Sequence, residues 1–181
     1  MTVLIIALAL IGLWAVWMFN RLIRDQNLMR EAFSGIDVQL KRRHDLIPNI
    51  LEAVKGYMQF ERGTLEQVTR LRTQIQNAAN PVDKNNLEND LSRGLKSIFA
   101  VVEAYPDLKA NKNITELQNT LIDIEDQLQM ARRYYNGCVR NFNISAQSFP
   151  NNLIAGVFNF KSVEYFEIEY ATERQTPDIK F

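Results

Sequence analysis

Residues 1–20 read MTVLIIALALIGLWAVWMFN and contain no Asp, Glu, Lys, Arg or His. An apolar helix of about 20 residues crosses the ~30 Å hydrocarbon core of a bilayer at a rise of ~1.5 Å per residue. Trp14 and Trp17 lie towards the downstream end of the run, where indole rings favour the headgroup region. The stretch therefore predicts a transmembrane anchor over residues 1–20.

A cleaved signal peptide is the main alternative to this retained anchor. It requires a basic segment before the apolar core and a small-residue cleavage site after it. No Lys or Arg precedes the apolar run, and Trp14–Asn20 contains no A-x-A-like site. We therefore expect the anchor to be retained.

Basic residues lie on the downstream side of the apolar run, beginning with Arg21, Arg24 and Arg30. Cytoplasmic flanks of membrane helices carry an excess of Lys and Arg. The pattern favours an outward N-terminus with the body in the cytoplasm, and the periplasmic orientation stays open as the alternative.

The overall composition argues against several classes of function. Lys plus Arg and Asp plus Glu each number 21, so the chain is neutral and lacks the basic surface that nucleic acids require. His44 and Cys138 are each the one residue of their type, so no disulfide forms within the chain and no His/Cys metal site is expected. No glycine-rich phosphate loop is present. The sequence predicts no catalytic, cofactor-binding or metal site, and therefore a protein that is not an enzyme.

Apolar residues recur at spacings of three and four along most of the chain, which is typical of amphipathic helices. Pro48 predicts a kink or a break in the first helix, because proline removes a backbone donor and disfavours helical geometry before it. Later turns are predicted at Ala78–Pro81, Tyr105–Asp107 and Phe149–Asn152. We expect an all-α fold, in which the transmembrane helix continues into an antiparallel four-helix-type bundle.

A different pattern begins near the C-terminus, where Phe166, Ile168 and Tyr170 alternate with more polar residues, as in a strand. The predicted organisation is an anchor at 1–20, a helical bundle at 21–158 and a short extended tail at 159–181.

Several motifs together resemble the bacterial LemA family. They include Ile36–Asn49, IDVQLKRRHDLIPN; Tyr105–Ala110, YPDLKA; Ala131–Asn136, ARRYYN; and Phe149–Ala155, FPNNLIA. The resemblance covers about Arg21 to Phe166 in the family's order. It implies one N-terminal span and a four-helix-type bundle in the inner membrane of a bacterium. The family has no established catalytic activity, and its magnetosome-associated relatives suggest roles in membrane organisation.

Polar residues cluster on two of the predicted helices. An Arg fork paired with a carboxylate across two helices satisfies both groups and sets their register. We expect Asp37 or Asp45 to contact Arg132 or Arg133. Solvated helix faces and a contact between subunits are the two alternatives. The predicted structural network comprises Asp37, Arg43, Asp45, Arg132, Arg133 and Asn136.

The tail is richer in aromatic residues than a disordered terminus requires. These residues either close one end of the bundle or contact a partner, for example by adding a strand to its sheet. The candidate partner contacts are Phe158, Phe160, Tyr165, Phe166 and Tyr170.

Two functional classes fit these features. The first is a self-assembling membrane scaffold, a homo-oligomer held in lipid by residues 1–20. The second is an adaptor for another membrane protein, such as a membrane protease.

Overall fold

The computed structural model describes residues 1–56, 62–78 and 81–166. No strand occurs within these ranges, and the all-α prediction with an N-terminal apolar helix is confirmed. The described residues form six helices: α1 (Thr2–Lys55), α2 (Arg62–Asn77), α3 (Pro81–Ala104), α4 (Pro106–Lys109), α5 (Lys112–Gln147) and α6 (Asn151–Val157).

The helices belong to two compact units. Unit 1 contains Met1–Val38 and the described residues from Gln127 onwards, whereas unit 2 contains Gln39–Asp126. Both α1 and α5 contribute one part to each unit. The predicted boundaries at residues 20 and 158 stay predictions.

Unit 2 is a bundle of four longer helices around one apolar core. The core residues of α1 and α2 recur at spacings of three, four and seven, as expected for amphipathic helices. Leu108 of the short α4 is fully buried and closes the core beside α3 and α5. The buried core residues are Ile47, Ile50, Val54, Val68, Leu71, Ile75, Leu91, Leu95, Ile98, Phe99, Val102, Leu108, Ile114 and Leu121.

In unit 1, the α1 and α5 segments pack antiparallel. Phe33 contacts Tyr135, with ring centroids 5.6 Å apart, and the Ser145 hydroxyl donates to Asp25 Oδ2 at 3.3 Å. The earlier residue of α1, Asp25, thus contacts the later residue of α5, Ser145, which is the order that antiparallel helices give. The buried apolar residues of these two segments lie at spacings of three, four, seven or eleven, which keep them on one face of each helix: Leu22, Met29, Ala32, Ile36, Leu128, Val139, Phe142 and Ala146.

The N-terminal part of α1 is long and apolar enough to cross a membrane, and it is the one such helix among the described residues. Only 6% of its most apolar 18-residue window is buried. A core helix of a soluble protein would be largely covered, so this surface is suited to lipid.

Of the predicted kink or break at Pro48, the break is wrong, because α1 continues through this residue to Lys55, and the kink stays a prediction. Pro48 lies on the exposed side of the helix, while Ile47 and Ile50 are 0% and 1% exposed. A proline inside a helix costs about 3 kcal/mol. Burial of the two isoleucines contributes about 1.5–3 kcal/mol each, which is enough to offset that cost.

Residues 159–166 follow α6 and form neither helix nor strand. Asn159 has φ 58°, and the Phe160 amide donates to the Ala155 carbonyl at 2.9 Å. This is the left-handed C-terminal cap that Asn and Gly favour, and after it the chain runs back along α5. Tyr170 and the rest of the alternating pattern beyond Phe166 lie outside the described residues.

Candidate functional site

A cluster of polar side chains is buried inside unit 2. The Arg43 side chain on α1 is 1% exposed, and its guanidinium lies between α3 and α5. Nη1 of Arg43 is 3.4 Å from Glu88 Oε2, and Nη2 is 3.0 Å from Glu125 Oε1. Nη2 also donates to Ser92 Oγ at 2.5 Å. One side chain therefore connects three helices.

His44 extends this cluster beside Glu88. Its Nε2 lies 2.8 Å from Glu88 Oε1, although neither atom is in a well-aligned hydrogen bond. Nε of Arg43 is also buried without a hydrogen-bond partner. Buried ion pairs lose hydration that imperfect pairing does not fully restore. The geometry therefore suits a role in setting helix register better than a role in raising stability.

Metal ligation finds little support in this arrangement. Across residues 1–56, 62–78 and 81–166, no group of three or more His, Cys, Asp or Glu side chains is placed to hold a metal ion. The expected absence of catalytic and metal sites stays a prediction.

The six residues of the predicted polar network are divided between the units. Arg43 and Asp45 lie in unit 2, where Asp45 is exposed. In unit 1, Asp37 is also exposed, and Arg133 donates to Gln129 Oε1 at 3.4 Å. The predicted contact between an aspartate of α1 and an arginine of α5 stays a prediction. The partners of Arg43, namely Glu88 and Glu125, were not predicted.

Two asparagines of α5 bind the backbone of the segment after α6. Asn143 Nδ2 donates to the Val163 carbonyl at 2.8 Å, and the Val163 amide donates to Asn143 Oδ1 at 2.9 Å. Asn136 repeats this arrangement with Phe166, at 3.0 Å and 2.8 Å. Each asparagine side chain thus both donates to and accepts from the backbone of one residue, as a residue of a neighbouring β-strand would.

The spacing of the two pairs is consistent with an extended segment. Asn136 and Asn143 are seven residues apart, which is about 10.5 Å along a helix. Val163 and Phe166 are three residues apart, which is about 10 Å in an extended chain. Residues 160–166, which we call the strap, therefore lie along α5 in register with two of its turns.

Aromatic contacts hold the strap at both of its ends. The guanidinium of Arg132 lies 4.8 Å from the ring centroid of Phe166, and Arg132 is itself buried. At the other end, the ring of Phe160 lies 6.3 Å from Phe142. Tyr165, between these contacts, is 50% exposed. Of the predicted tail residues, Phe160 and Phe166 therefore pack within unit 1, and a partner contact by the tail stays a prediction.

Two tyrosines lie beside this region of α5. Burial raises the pKa of Tyr135, which packs on Phe33. Tyr134 is exposed, and the adjacent Cys138 thiol raises its pKa above the usual value. Both hydroxyls therefore stay neutral at physiological pH.

An open groove of about 390 Å³ lies between α1 and α5 in unit 1. Arg21 is placed over the Trp17 ring, 5.9 Å from its centroid. The groove lies where the uncharged part of α1 ends, a position suited to polar headgroups. Its lining residues are Trp17, Arg21, Arg24, Asp25, Asn141, Ile144 and Ser145.

The chain is similar to known proteins over most of its length. The LemA family model matches residues 32–181. Protein LemA of Metamycoplasma hominis is 29% identical over 164 residues, covering 88% of this chain and 72% of that protein. Magnetosome protein MamQ 2 of Paramagnetospirillum magneticum is 24% identical over 160 residues, covering 74% of this chain and 59% of the relative. Magnetosome protein MamQ of Magnetospirillum gryphiswaldense is 27% identical over 79 residues, covering 44% of this chain and 29% of that protein. The chain therefore spans less than two thirds of the length of these magnetosome relatives.

Proposed function

The chain belongs to the LemA family, and from that premise we propose that it is a self-assembling, non-enzymatic scaffold of the bacterial inner membrane. The protein is membrane-associated through its N-terminal apolar helix. Arg21, Arg24 and Arg30 support an N-terminus outside and a body in the cytoplasm. The relatives named magnetosome proteins support a part in organising membranes.

The observation that carries the proposal is an exposed, uncharged stripe on α5. Met130, Tyr134 and Ile144 are 51%, 57% and 57% exposed. Gly137 and Asn141 complete the stripe at alternating spacings of four and three residues, the pattern of a helix–helix contact. A Cβ placed on Gly137 would meet no atom within 4 Å, so a second helix can approach closely.

The stripe is long enough to serve as an interface. From Met130 to Ile144 it extends about 21 Å along the helix. Large exposed apolar side chains on one face, such as Met130, Tyr134 and Ile144, commonly mark an interaction site. An anchored chain is confined to two dimensions, which raises its effective concentration for lateral contacts. We therefore propose that copies of this chain pack side by side along the stripe.

The test is the native mass of the full-length chain in detergent and in lipid nanodiscs. We expect a discrete oligomer for the unaltered chain. Met130→Glu places one charge in the stripe and should shift the mass towards the monomer. Gln129→Glu is the matched control, because it adds the same charge one residue away on a different face of α5. The proposal would be refuted if the unaltered chain were monomeric in both media. It would also be refuted if the two substitutions changed the native mass equally.

The adaptor alternative rests on a different observation, the exposure of Tyr165 on the strap. A photo-crosslinking amino acid at this position would capture a neighbouring protein in intact membranes. Capture of one other membrane protein by a monomeric chain would favour the adaptor over the scaffold.

A further inference from the structure

The end of α5, the turn after it and α6 carry no charge. Residues 141–160 contain no Asp, Glu, Lys, Arg or His, whereas Arg140 and Lys161 lie immediately on either side. Large apolar side chains in this stretch are nevertheless exposed to solvent. We call four of them the α6 surface: Phe149 at 80%, Leu153 at 59%, Val157 at 79% and Phe158 at 55%.

α6 is two-sided. Ala155 is 3% exposed and packs with Leu22 and Ala146 in the core of unit 1. Leu153 and Val157 are four residues apart and share a face of the helix, and that face is exposed. One face is therefore held by the protein, and the other presents apolar side chains that the described residues of unit 1 leave mostly exposed.

The position of α6 indicates what covers its outer face. The ring centroids of Phe158 and Phe160 lie 4.6 Å and 5.9 Å from that of Phe19 on α1. Phe19 is the last apolar residue of the uncharged N-terminal run, and Arg21 is the first charge after it. The C-terminal end of α6 therefore lies beside α1 at the end of its uncharged run, where we expect the membrane helix to leave the hydrocarbon core.

We propose that the α6 surface inserts into the headgroup region of the same bilayer that α1 crosses, as a second, in-plane membrane contact. α1 also exposes apolar side chains close in sequence to Phe19, among them Val16 at 59%. The nearest charges in sequence, Arg140 and Lys161, are both basic and suit phosphate headgroups at the rim of an inserted element.

The dimensions agree with an interfacial position. α6 has seven residues and is therefore about 10 Å long, too short to cross a bilayer but long enough to lie in its surface. Together with α1, the inserted surface would hold unit 1 at two points and so limit its tilt and rotation about the anchor. This inference depends on the membrane anchor and is independent of self-assembly along α5.

The test measures the depth of single residues in the intact, anchored chain. Cys138→Ser removes the one native thiol. A cysteine is then placed at Leu153, Val157 or Gln129 and labelled with an environment-sensitive fluorophore. All three residues are exposed, so the label displaces no packed side chain. Each protein is reconstituted into phosphatidylcholine vesicles containing phosphatidylglycerol. Gln129 is the control. It lies about 27 Å along α5 from Gln147, the last residue of that helix, and therefore far from the proposed membrane contact.

We expect blue-shifted emission at Leu153 and Val157, with several-fold stronger quenching by lipids spin-labelled near the headgroup than at Gln129. Aqueous iodide should show the opposite order. Equal iodide quenching at Val157 and Gln129 would overturn the proposal. So would a blue shift at Val157 that disappears when protein is diluted to about one copy per vesicle, because a second copy rather than lipid would then cover the α6 surface.

Discussion

Substitution of Asn143 tests whether the whole strap opens from α5 in a single step. Asn143 is 8% exposed and makes two hydrogen bonds with the backbone of Val163. Asn143→Ala removes both and leaves a backbone donor and acceptor of Val163 without these partners. The rest of α5 should be unaffected, because alanine favours the helix.

The magnitude follows from the number of bonds. Each hydrogen bond contributes a net of about 0.5–1.5 kcal/mol, so two contribute about 1–3 kcal/mol to the free energy of holding the strap. At about 1.4 kcal/mol for each factor of ten, the open population of the strap should rise roughly 5- to 150-fold. The Phe166 amide, bound by Asn136 and not by Asn143, should exchange faster by a comparable factor if the strap opens as a unit.

The assay is hydrogen–deuterium exchange of the full chain in detergent, read over peptides that contain Phe166. Asn141→Ala is the matched control, since Asn141 is an exposed asparagine on the same helix, two residues away. Unchanged exchange at Phe166 in Asn143→Ala would refute the reasoning, because it would mean that the two asparagines hold their partners independently. Equal acceleration by Asn141→Ala would show a general loosening of α5 instead.

Three further substitutions test packing by thermal unfolding of the full chain. A Cβ on Gly94 would lie 2.8 Å from Val68 Cγ2, so Gly94→Ala should lower stability by about 1–3 kcal/mol, and Val68→Ala in the same chain should recover part of the loss. Glu88→Gln removes a buried charge beside Arg43 and should cost about 1–3 kcal/mol, because Glu125 still pairs with Arg43; replacing Glu88 and Arg43 together by Leu and Met should cost less. Asn159 has φ 58°, so Asn159→Gly should be nearly neutral and Asn159→Val should cost about 1–2 kcal/mol; equal melting temperatures for these two variants would contradict the assigned cap.

The apolar positions of the long helices could be predicted from the sequence, because their period reports directly on which side is buried. In α1, Met29, Ala32, Ile36 and Leu40 recur at spacings of three and four, and all four are buried. The same period continues through Arg43, three residues after Leu40, so the burial of this arginine could have been read from the pattern as well.

The partners of Arg43 could not be predicted in the same way. Glu88 lies three residues before Leu91 and seven before Leu95, within the apolar stripe of α3, which is a usable signal for a buried acid. The local pattern shows which face of each helix is buried, but not which helices are neighbours. The pairing of Arg43 with Glu88 could not be predicted, because it depends on the order of the helices around the core. The asparagine pairs are harder still, because their partners are backbone atoms that carry no sequence signature.

The antiparallel pairing of α1 with α5 brings together two uncharged segments that are far apart in sequence. Residues 1–20 and residues 141–160 are both free of charged side chains, and long stretches of chain separate them. Contacts from Phe33 with Tyr135 to Phe19 with Phe158 bring the end of one run beside the other. Charges begin on α1 at Arg21 and stop on α5 at Arg140, so one end of unit 1 is uncharged on both helices. A protein anchored by α1 alone would gain nothing from an uncharged α5 end and would expose Phe149 and Val157 to water. The proposed in-plane contact accounts for both uncharged runs, because both helices would then meet one bilayer surface.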